Sequence, residues 1–287
     1  MRTLFIYLAI LMLIFTGCTP RTSTYELKVM SFNVRFDNPD DGINAWPNRI
    51  PLVEKYMKDK MPDIVGMQES LYHQNEDLLQ IMPGYAYVGT GRDDGEKGGE
   101  FSPIFFRTDI FELLDHSQFW LSETPDAPGS IGWAAVLPRV VVWAKLMYRE
   151  SGKELFVFNT HFSHVSDEAR RKSMEFLSDQ IVKIAGDSRV ILTGDFNITQ
   201  GSELYHEMQE RFLEQNNLQN AELIAQEPYT GVKNTFNGFR RDMEPRVIDF
   251  IYVNEYFSVK TYDIDKIMEG DIFISDHWPV KVQLIME

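Results

Sequence analysis

Cysteine is almost missing: the chain of 287 residues contains one, Cys18. No intramolecular disulfide can brace the fold, and the lack of thiolates argues against structural zinc. Positive charge is also scarce, with 28 Lys and Arg against 43 Asp and Glu and a net charge of −15. A protein that coats nucleic acid non-specifically needs many lysine–phosphate contacts, so that class is disfavoured. An enzyme that reaches a phosphate through a metal ion is not. Long hydrophobic runs are absent too. The longest apolar run, 4–15, has twelve residues, short of the roughly 20 that cross a bilayer. The signatures HExxH, GxSxG and GxxxxGK[ST] do not occur, which argues against zinc proteases, serine-elbow hydrolases and P-loop enzymes. What is present is ordinary for a globular chain: 44% hydrophobic and 25% charged residues, neither a collagen, a coiled-coil rod nor a disordered tail. Aromatics are generous at 13% and predict a well-filled sandwich or α/β core.

Residues 1–18 have the layout of a targeting segment: Arg2, the apolar run, then Phe15-Thr16-Gly17-Cys18. That ending resembles a bacterial lipoprotein box, in which small residues precede a cysteine that is lipidated. The resemblance implies export across the inner membrane and a lipid anchor on Cys18, facing the periplasm or the cell surface. The alternative is a plain thiol after a simple signal peptide. Residues 19–25 would then be a polar tether and 26–287 one folded domain, because no internal stretch reads as a linker. No protein partner is predicted.

Short β-branched apolar runs recur at 27–32, 63–67, 102–106, 140–147, 155–159, 190–192, 247–253 and 280–285, each of strand length and bounded by turn residues. Two segments have helical periodicity. One is 46–58, with Ile50, Val53 and Met57 on a stripe; the other is 166–184, with Ala169, Phe176, Leu177, Ile181 and Ile184 on one face. Strands outnumber helices and do not alternate with them one for one, so a TIM barrel is excluded. Two sheets stacked face to face with helices outside is the predicted architecture. The glycine-rich stretch 91–100 predicts a flexible loop beside a site.

The chemical signal is a repeated arrangement, an apolar strand that ends abruptly in carboxylate, amide or imidazole. It occurs at Asn33, at Gln68-Glu69, at Asn159-Thr160-His161, at Asp195-Phe196-Asn197 and at Ser275-Asp276-His277, while Asp249 sits inside an apolar run. Such groups are costly at buried strand ends unless they pair or bind metal. Hard oxygen donors with two histidines and no thiolates suit Mg²⁺ or Mn²⁺. Metal-assisted hydrolysis of a phosphate ester matches these parts.

In this order and spacing, the pieces around Asn33, Gln68-Glu69, Thr160-His161, Gly194-Asp195-Phe196-Asn197, Asp249 and Ser275-Asp276-His277-Trp278-Pro279 resemble the endonuclease/exonuclease/phosphatase superfamily. The resemblance implies a deoxyribonuclease I-like fold, an α+β, four-layer α/β/β/α sandwich of two packed mixed sheets with outer helices. The stretches 35–46, 132–139 and 159–170 are similar to a bacterial branch related to carbon-catabolite-repressor-type deadenylases and sugar-phosphate phosphatases. Ser163 departs from that branch, which commonly has Asp there, and this leaves the role of His164 open.

The resemblance implies that Glu69 is the principal metal ligand, with Asn33 a second ligand or an orienter of metal-bound water. Asp276 is implied as a ligand or a tuning neighbour. Asp195 would orient and deprotonate the attacking water, and Asn197 would hold a phosphoryl oxygen or the nucleophile; in an extended strand end, positions i and i+2 point the same way. His277 would pair with Asp249 and act as an imidazolium toward the phosphoryl oxygens. His161 would be a second such donor, with Glu100, just before 101–107, as its carboxylate partner. Arg139 and Trp133 would contact substrate through phosphate and by stacking; the alternative is a core Trp133 and a surface ion pair for Arg139. His73, His116 and His206 read as surface or core residues, and Asp37, Asp40 and Asp41 as a solvated turn. The implied substrate is a phosphate ester, either nucleic acid (a nuclease or 3′–5′ exonuclease) or a small phosphorylated sugar or lipid head group. A degenerate binding module is the non-enzymatic alternative.

Overall fold

Strands covered on both faces read as continuous apolar runs rather than alternating ones, and the central strands of this protein have that character. The computed structural model describes residues 24–229 and 231–287. The segment expected to be a leader, Cys18 with its expected lipid anchor, and all but the end of the expected 19–25 tether lie outside the described residues. The chain begins with β1 (Tyr25–Asn33), α1 (Trp46–Lys60), β2 (Ile64–Gln68), α2 (Tyr72–Ile81), β3 (Tyr85–Val88), β4 (Ile104–Arg107), β5 (Phe111–Trp120) and β6 (Val140–Tyr148). It continues through β7 (Lys153–His161), α3 (Asp167–Ala185), β8 (Arg189–Asp195), α4 (Glu203–Asn216), β9 (Gln219–Asn220), α5 (Ala221–Ile224) and β10 (Asp249–Val253). The last strands are β11 (Phe257–Ile264), β12 (Met268–Glu269), β13 (Ile272–Phe273) and β14 (Val280–Met286).

Two six-stranded mixed sheets form, ordered β11-β14-β1-β2-β4-β3 and β5-β6-β7-β8-β10-β9. They stack as the predicted four-layer α/β/β/α sandwich. One core lies between the sheets and beneath α1, joining Val29, Phe32, Ile64 and Trp46 to Val157, Ile191 and Ile251. A second lies between the other sheet and α3 and α4, where Met174, Leu177, Ile181 and Phe212 meet Phe158, Leu192 and Tyr252. Helix α3 starts where Ser166 accepts a hydrogen bond from the Ala169 amide at 3.1 Å, an N-cap that satisfies one orphan donor. It ends at Gly186, whose φ of +54° favours glycine.

All eight predicted runs fall on strands. The strands not predicted include β3, β5 and β11, which are edges or carry exposed stretches; β5 is exposed along its middle. Helices α2 and α4 were also not predicted.

The topology places chemistry at one end. In each sheet the central pair, β1 with β2 and β7 with β8, is parallel, and the flanking neighbours β14 and β10 are antiparallel. The parallel strands therefore end, and the antiparallel ones begin, along the same rim. Arg49 on α1, fully buried, ties down that rim. Its guanidinium donates to the carbonyls of Val34, Arg35, Asn44 and Ile274 at 2.6 to 3.0 Å.

Candidate active site

Each strand end delivers one side chain to the rim. β1 ends on Asn33, Glu69 follows β2, β7 ends on His161 and β8 on Asp195; Asp249 opens β10, directly across the ladder from Asp195. His277 comes just before β14. All six meet around one crevice: Glu69, His161 and Asp195 line it, Asn33 and His277 contact Asp195, and Asp249 contacts His277. Glu69 and Asn197 both have φ in the left-handed region, at +66° and +51°; non-glycine residues held there concentrate at functional sites.

Asp195 is the hub. Its Oδ2 accepts from Asn33 Nδ2 at 3.0 Å and lies 3.5 Å from His161 Nε2 and 3.7 Å from His277 Nε2. Its Oδ1 accepts from the Asn197 amide at 3.0 Å. Burial first, and the negative charge of Asp249 next, push the Asp195 carboxyl up to about 7. His277 Nδ1 lies 2.8 Å from Asp249 Oδ2. Burial alone would push this imidazole down, but Asp249 and Asp195 outweigh it and hold it at about 10. The ring is an imidazolium at neutral pH, its Nε2–H on the Asp195 side.

His161 sits in the opposite field. Burial, then the guanidinium charges of Arg139 and Arg92, push it well below its ordinary value, so its ring is neutral and not the second imidazolium expected. Its Nδ1 has no hydrogen-bond partner among the described residues. Glu100 lies 3.9 Å from that nitrogen, too far to bond; Arg92 claims the carboxylate bidentately at 2.5 and 2.9 Å. The 91–100 loop does lie beside the site, where Glu100 lines the crevice, and it is closed on itself by backbone hydrogen bonds from the Gly91 amide to the Glu96 carbonyl and from the Arg92 amide to the Glu100 carbonyl.

Arg139 is buried rather than in a surface ion pair. Its Nη2 contacts His164 Nδ1 at 2.9 Å and its Nη1 has no partner among the described residues. Burial, then repulsion from Arg92, lowers it to about 10, leaving it cationic at neutral pH. Trp133 is not in the crevice; it packs against Phe176 of α3, ring centroids 5.8 Å apart, as the core alternative anticipated. Asp41 is not simply solvated, since it binds Arg35 at 3.0 and 3.1 Å. Asp276 lines the crevice but its carboxylate lies nearest Ser275 Oγ and Arg35.

The crevice has a volume of about 520 Å³ and is lined by Glu69, Arg139, His161, His164, Asp195 and Asn197, together with Phe36, Phe236 and Arg246. A larger groove of about 680 Å³, between α1 and β12, holds none of the predicted residues. Arg35, Phe36, Arg92, Phe236 and Arg246 were not singled out in the sequence. Two signals were available: Arg35 and Phe36 directly follow the Asn33 strand end, and Arg92 opens the glycine-rich loop.

The donor set is suited to a hard divalent cation. Glu69, Asp195 and His277 offer ligand atoms within 4.8 Å of one another, but the protonated His277 has no lone pair to give, which leaves the two carboxylates. Both converge on Asn33 Nδ2, which stands 3.0 Å from Glu69 Oε1 and 3.0 Å from Asp195 Oδ2. Asn33 Oδ1 instead accepts from the Arg35 amide at 2.9 Å, so Asn33 offers oxygen to an ion only if its amide turns over. Glu100 and Asp276 are also raised, to about 7 and about 6, burial being the first cause and the charge of Glu69 contributing in each. A divalent positive charge would relieve this crowding of carboxylates.

The model of the Endonuclease/Exonuclease/phosphatase family matches residues 30–277, most of the chain. The protein belongs to that family. Its fold is that of the endonuclease/exonuclease/phosphatase from Bacteroides vulgatus, with 39% identity and a TM-score of 0.86 over 92% of this chain and 100% of that one. A Bacteroides thetaiotaomicron mannosyl-6-phosphatase is 36% identical with a TM-score of 0.81, covering 90% of this chain and 99% of that one. An uncharacterized protein of Acanthamoeba polyphaga mimivirus is 27% identical over 276 residues, 89% of this chain and 99% of that one. Endonuclease/exonuclease/phosphatase members hydrolyse phosphate esters, and the rim residues of this member are of the kinds that chemistry uses.

Proposed function

We propose that this family member is a metal-dependent phosphomonoesterase acting on a small phosphorylated sugar. The observation that carries the reading is the Arg139 guanidinium, buried at the crevice wall with its Nη1 unpartnered among the described residues. An unsatisfied buried donor costs about 1–3 kcal/mol, a cost that an anionic oxygen entering the crevice removes. The terminal phosphate of a monoester, with three non-bridging oxygens, supplies more such acceptors than an internal diester. The relative named as a mannosyl-6-phosphatase supports the same substrate class.

In this reading Asp195 orients the attacking water and takes its proton, and Asn197 holds a phosphoryl oxygen. The His277 imidazolium donates to oxygens on which charge grows, with Asp249 fixing its ring. His161, neutral, donates one N–H, and Arg139 holds the phosphate for in-line attack. A bound Mg²⁺ or Mn²⁺, held by Glu69 with Asn33 and Asp276 beside it, would supply Lewis-acid neutralisation of the phosphoryl charge.

A phosphodiester substrate is the second reading. The crevice adjoins a polar pocket of about 280 Å³ that shares Asn197 and Arg246 with it, room for chain beyond the scissile group. Turnover of mannose 6-phosphate, p-nitrophenyl phosphate, bis-p-nitrophenyl phosphate and an oligonucleotide, with Mg²⁺ and with EDTA, separates the two. Monoesters are expected to be fastest and EDTA to abolish all turnover; faster diester cleavage overturns the monoesterase.

The Cys18 anchor belongs to the same proposal. The nine residues of β1 span roughly 30 Å from Tyr25 to Asn33, so a tether entering at Tyr25 joins the pole remote from the crevice. Loss of membrane association in Cys18→Ala tests it.

A further inference from the structure

A buried hydrogen-bonded layer lies directly beneath the site, and each member sits on a strand that delivers a site residue. Ser31, Asn159 and Thr193 precede Asn33, His161 and Asp195 by two positions, and Gln68 immediately precedes Glu69. Residues two apart on a strand face the same way. All four are fully buried. Asn159 is the centre: its Oδ1 accepts from Gln68 Nε2 at 2.7 Å and from Thr193 Oγ1 at 2.9 Å. Its Nδ2 crosses the sandwich to donate to the Met67 and Pro103 carbonyls at 2.6 and 3.1 Å. Gln68 Nε2 also reaches Ser31 Oγ at 3.3 Å, so one network joins β1, β2, β7 and β8. Gly66 lets the sheets approach here, because a Cβ at that position would lie 2.0 Å from Thr193 Oγ1 and 2.6 Å from Asn159 Oδ1.

Apolar side chains in this slot would hold the sheets together by area alone, which is non-directional. Hydrogen bonds to fixed partners specify one relative placement. We infer that Asn159 is a positioning residue: by bridging the sheets under the crevice it sets the separation of Asn33 and Glu69, on one sheet, from His161 and Asp195, on the other. The inference rests on the crevice being the phosphoesterase site proposed above.

The test compares Asn159→Asp, Asn159→Ser and Thr193→Val with wild type and Asp195→Ala. Three quantities are read from the same preparations: steady-state kinetics on p-nitrophenyl phosphate with Mg²⁺, calorimetric Mn²⁺ affinity without substrate, and the thermal midpoint. Thr193→Val is nearly isosteric and keeps the test open if Asn159 variants do not fold. Its kcat is expected to fall about 10-fold, and that of folded Asn159 variants about 100-fold, the scale of a misplacement near 1 Å, with KM changed less than about twofold. Mn²⁺ affinity is expected to fall about tenfold, because Glu69 and Asp195 come from different sheets. Folded variants with wild-type kcat and Mn²⁺ affinity, beside an inactive Asp195→Ala, overturn the positioning role alone. A fully active Asp195→Ala overturns the site assignment, and Mn²⁺ affinity then decides the positioning role by itself.

Discussion

The two walls of the crevice hold the same side chain in opposite states. On one, His277 has a carboxylate 2.8 Å from its Nδ1 and is held protonated at about 10. On the other, His161 faces the guanidinium groups of Arg139 and Arg92 and is held neutral. Both rings are buried and both have an Nε2 within 4 Å of Asp195, so burial does not distinguish them. The neighbours decide. One wall carries its positive charge on an imidazole and the other on an arginine, and the substrate phosphate would lie between them.

The largest effect should come from removing what both walls share. Asp195→Ala, and His277→Ala on its own wall, are each expected to lower kcat by about two to four orders of magnitude on the preferred phosphoester; rates within a few-fold of wild type would dissolve the comparison. Next is Asp249→Asn, expected to cost about 100-fold in kcat at neutral pH and to shift the pH profile. His277 is held at about 10 with Asp249 in place; without that carboxylate, burial pulls the ring down against fewer opposing charges, so its pKa falls. Activity that needs the imidazolium should then be lost at lower pH in the variant than in wild type, where it persists toward 10. Stability follows the same sign. A histidine raised on folding stabilises fully below its unfolded value, and the contribution fades as pH climbs through 6.5 to 10. NMR titration of the ring checks the shift, and an unchanged pKa in the variant would place the charge elsewhere.

On the other wall, Arg139→Lys is expected to raise KM for a monoester about tenfold, since Lys lacks the planar fork, with less effect on bis-p-nitrophenyl phosphate. Equal losses on both substrates would remove the distinction. The smallest effect belongs to Trp133→Ala. Lost packing on Phe176 should lower the thermal midpoint by a few degrees, about what 1–2 kcal/mol does in a chain of this size, with kcat and KM unchanged. A KM change there would return Trp133 to the substrate.

Legibility in the sequence followed burial. β1, β7, β8 and β10 were readable because they are covered on both faces, and β5 was not because an edge strand with an exposed middle has an ordinary polar composition. The pairing of His277 with Asp249 was expected and the two are in contact. The partner of Glu100 was expected to be His161, and spacing could not show that Arg92, eight residues away in the same loop, would take the carboxylate first.

Residue order alone determined which strand ends carry polar groups, because an Asn, Asp or His after an apolar run is visible without coordinates. It also determined the family, through several such ends in a set order. Only the tertiary structure decided how those groups are charged and, the pair of His277 and Asp249 apart, who holds whom. That Arg139 lies buried beside His161, that Trp133 faces α3, and that Asn159 joins two sheets all depend on distances between segments far apart in the chain. Electrostatic interaction falls with distance and grows as water is excluded, and neither quantity is written in the order of residues.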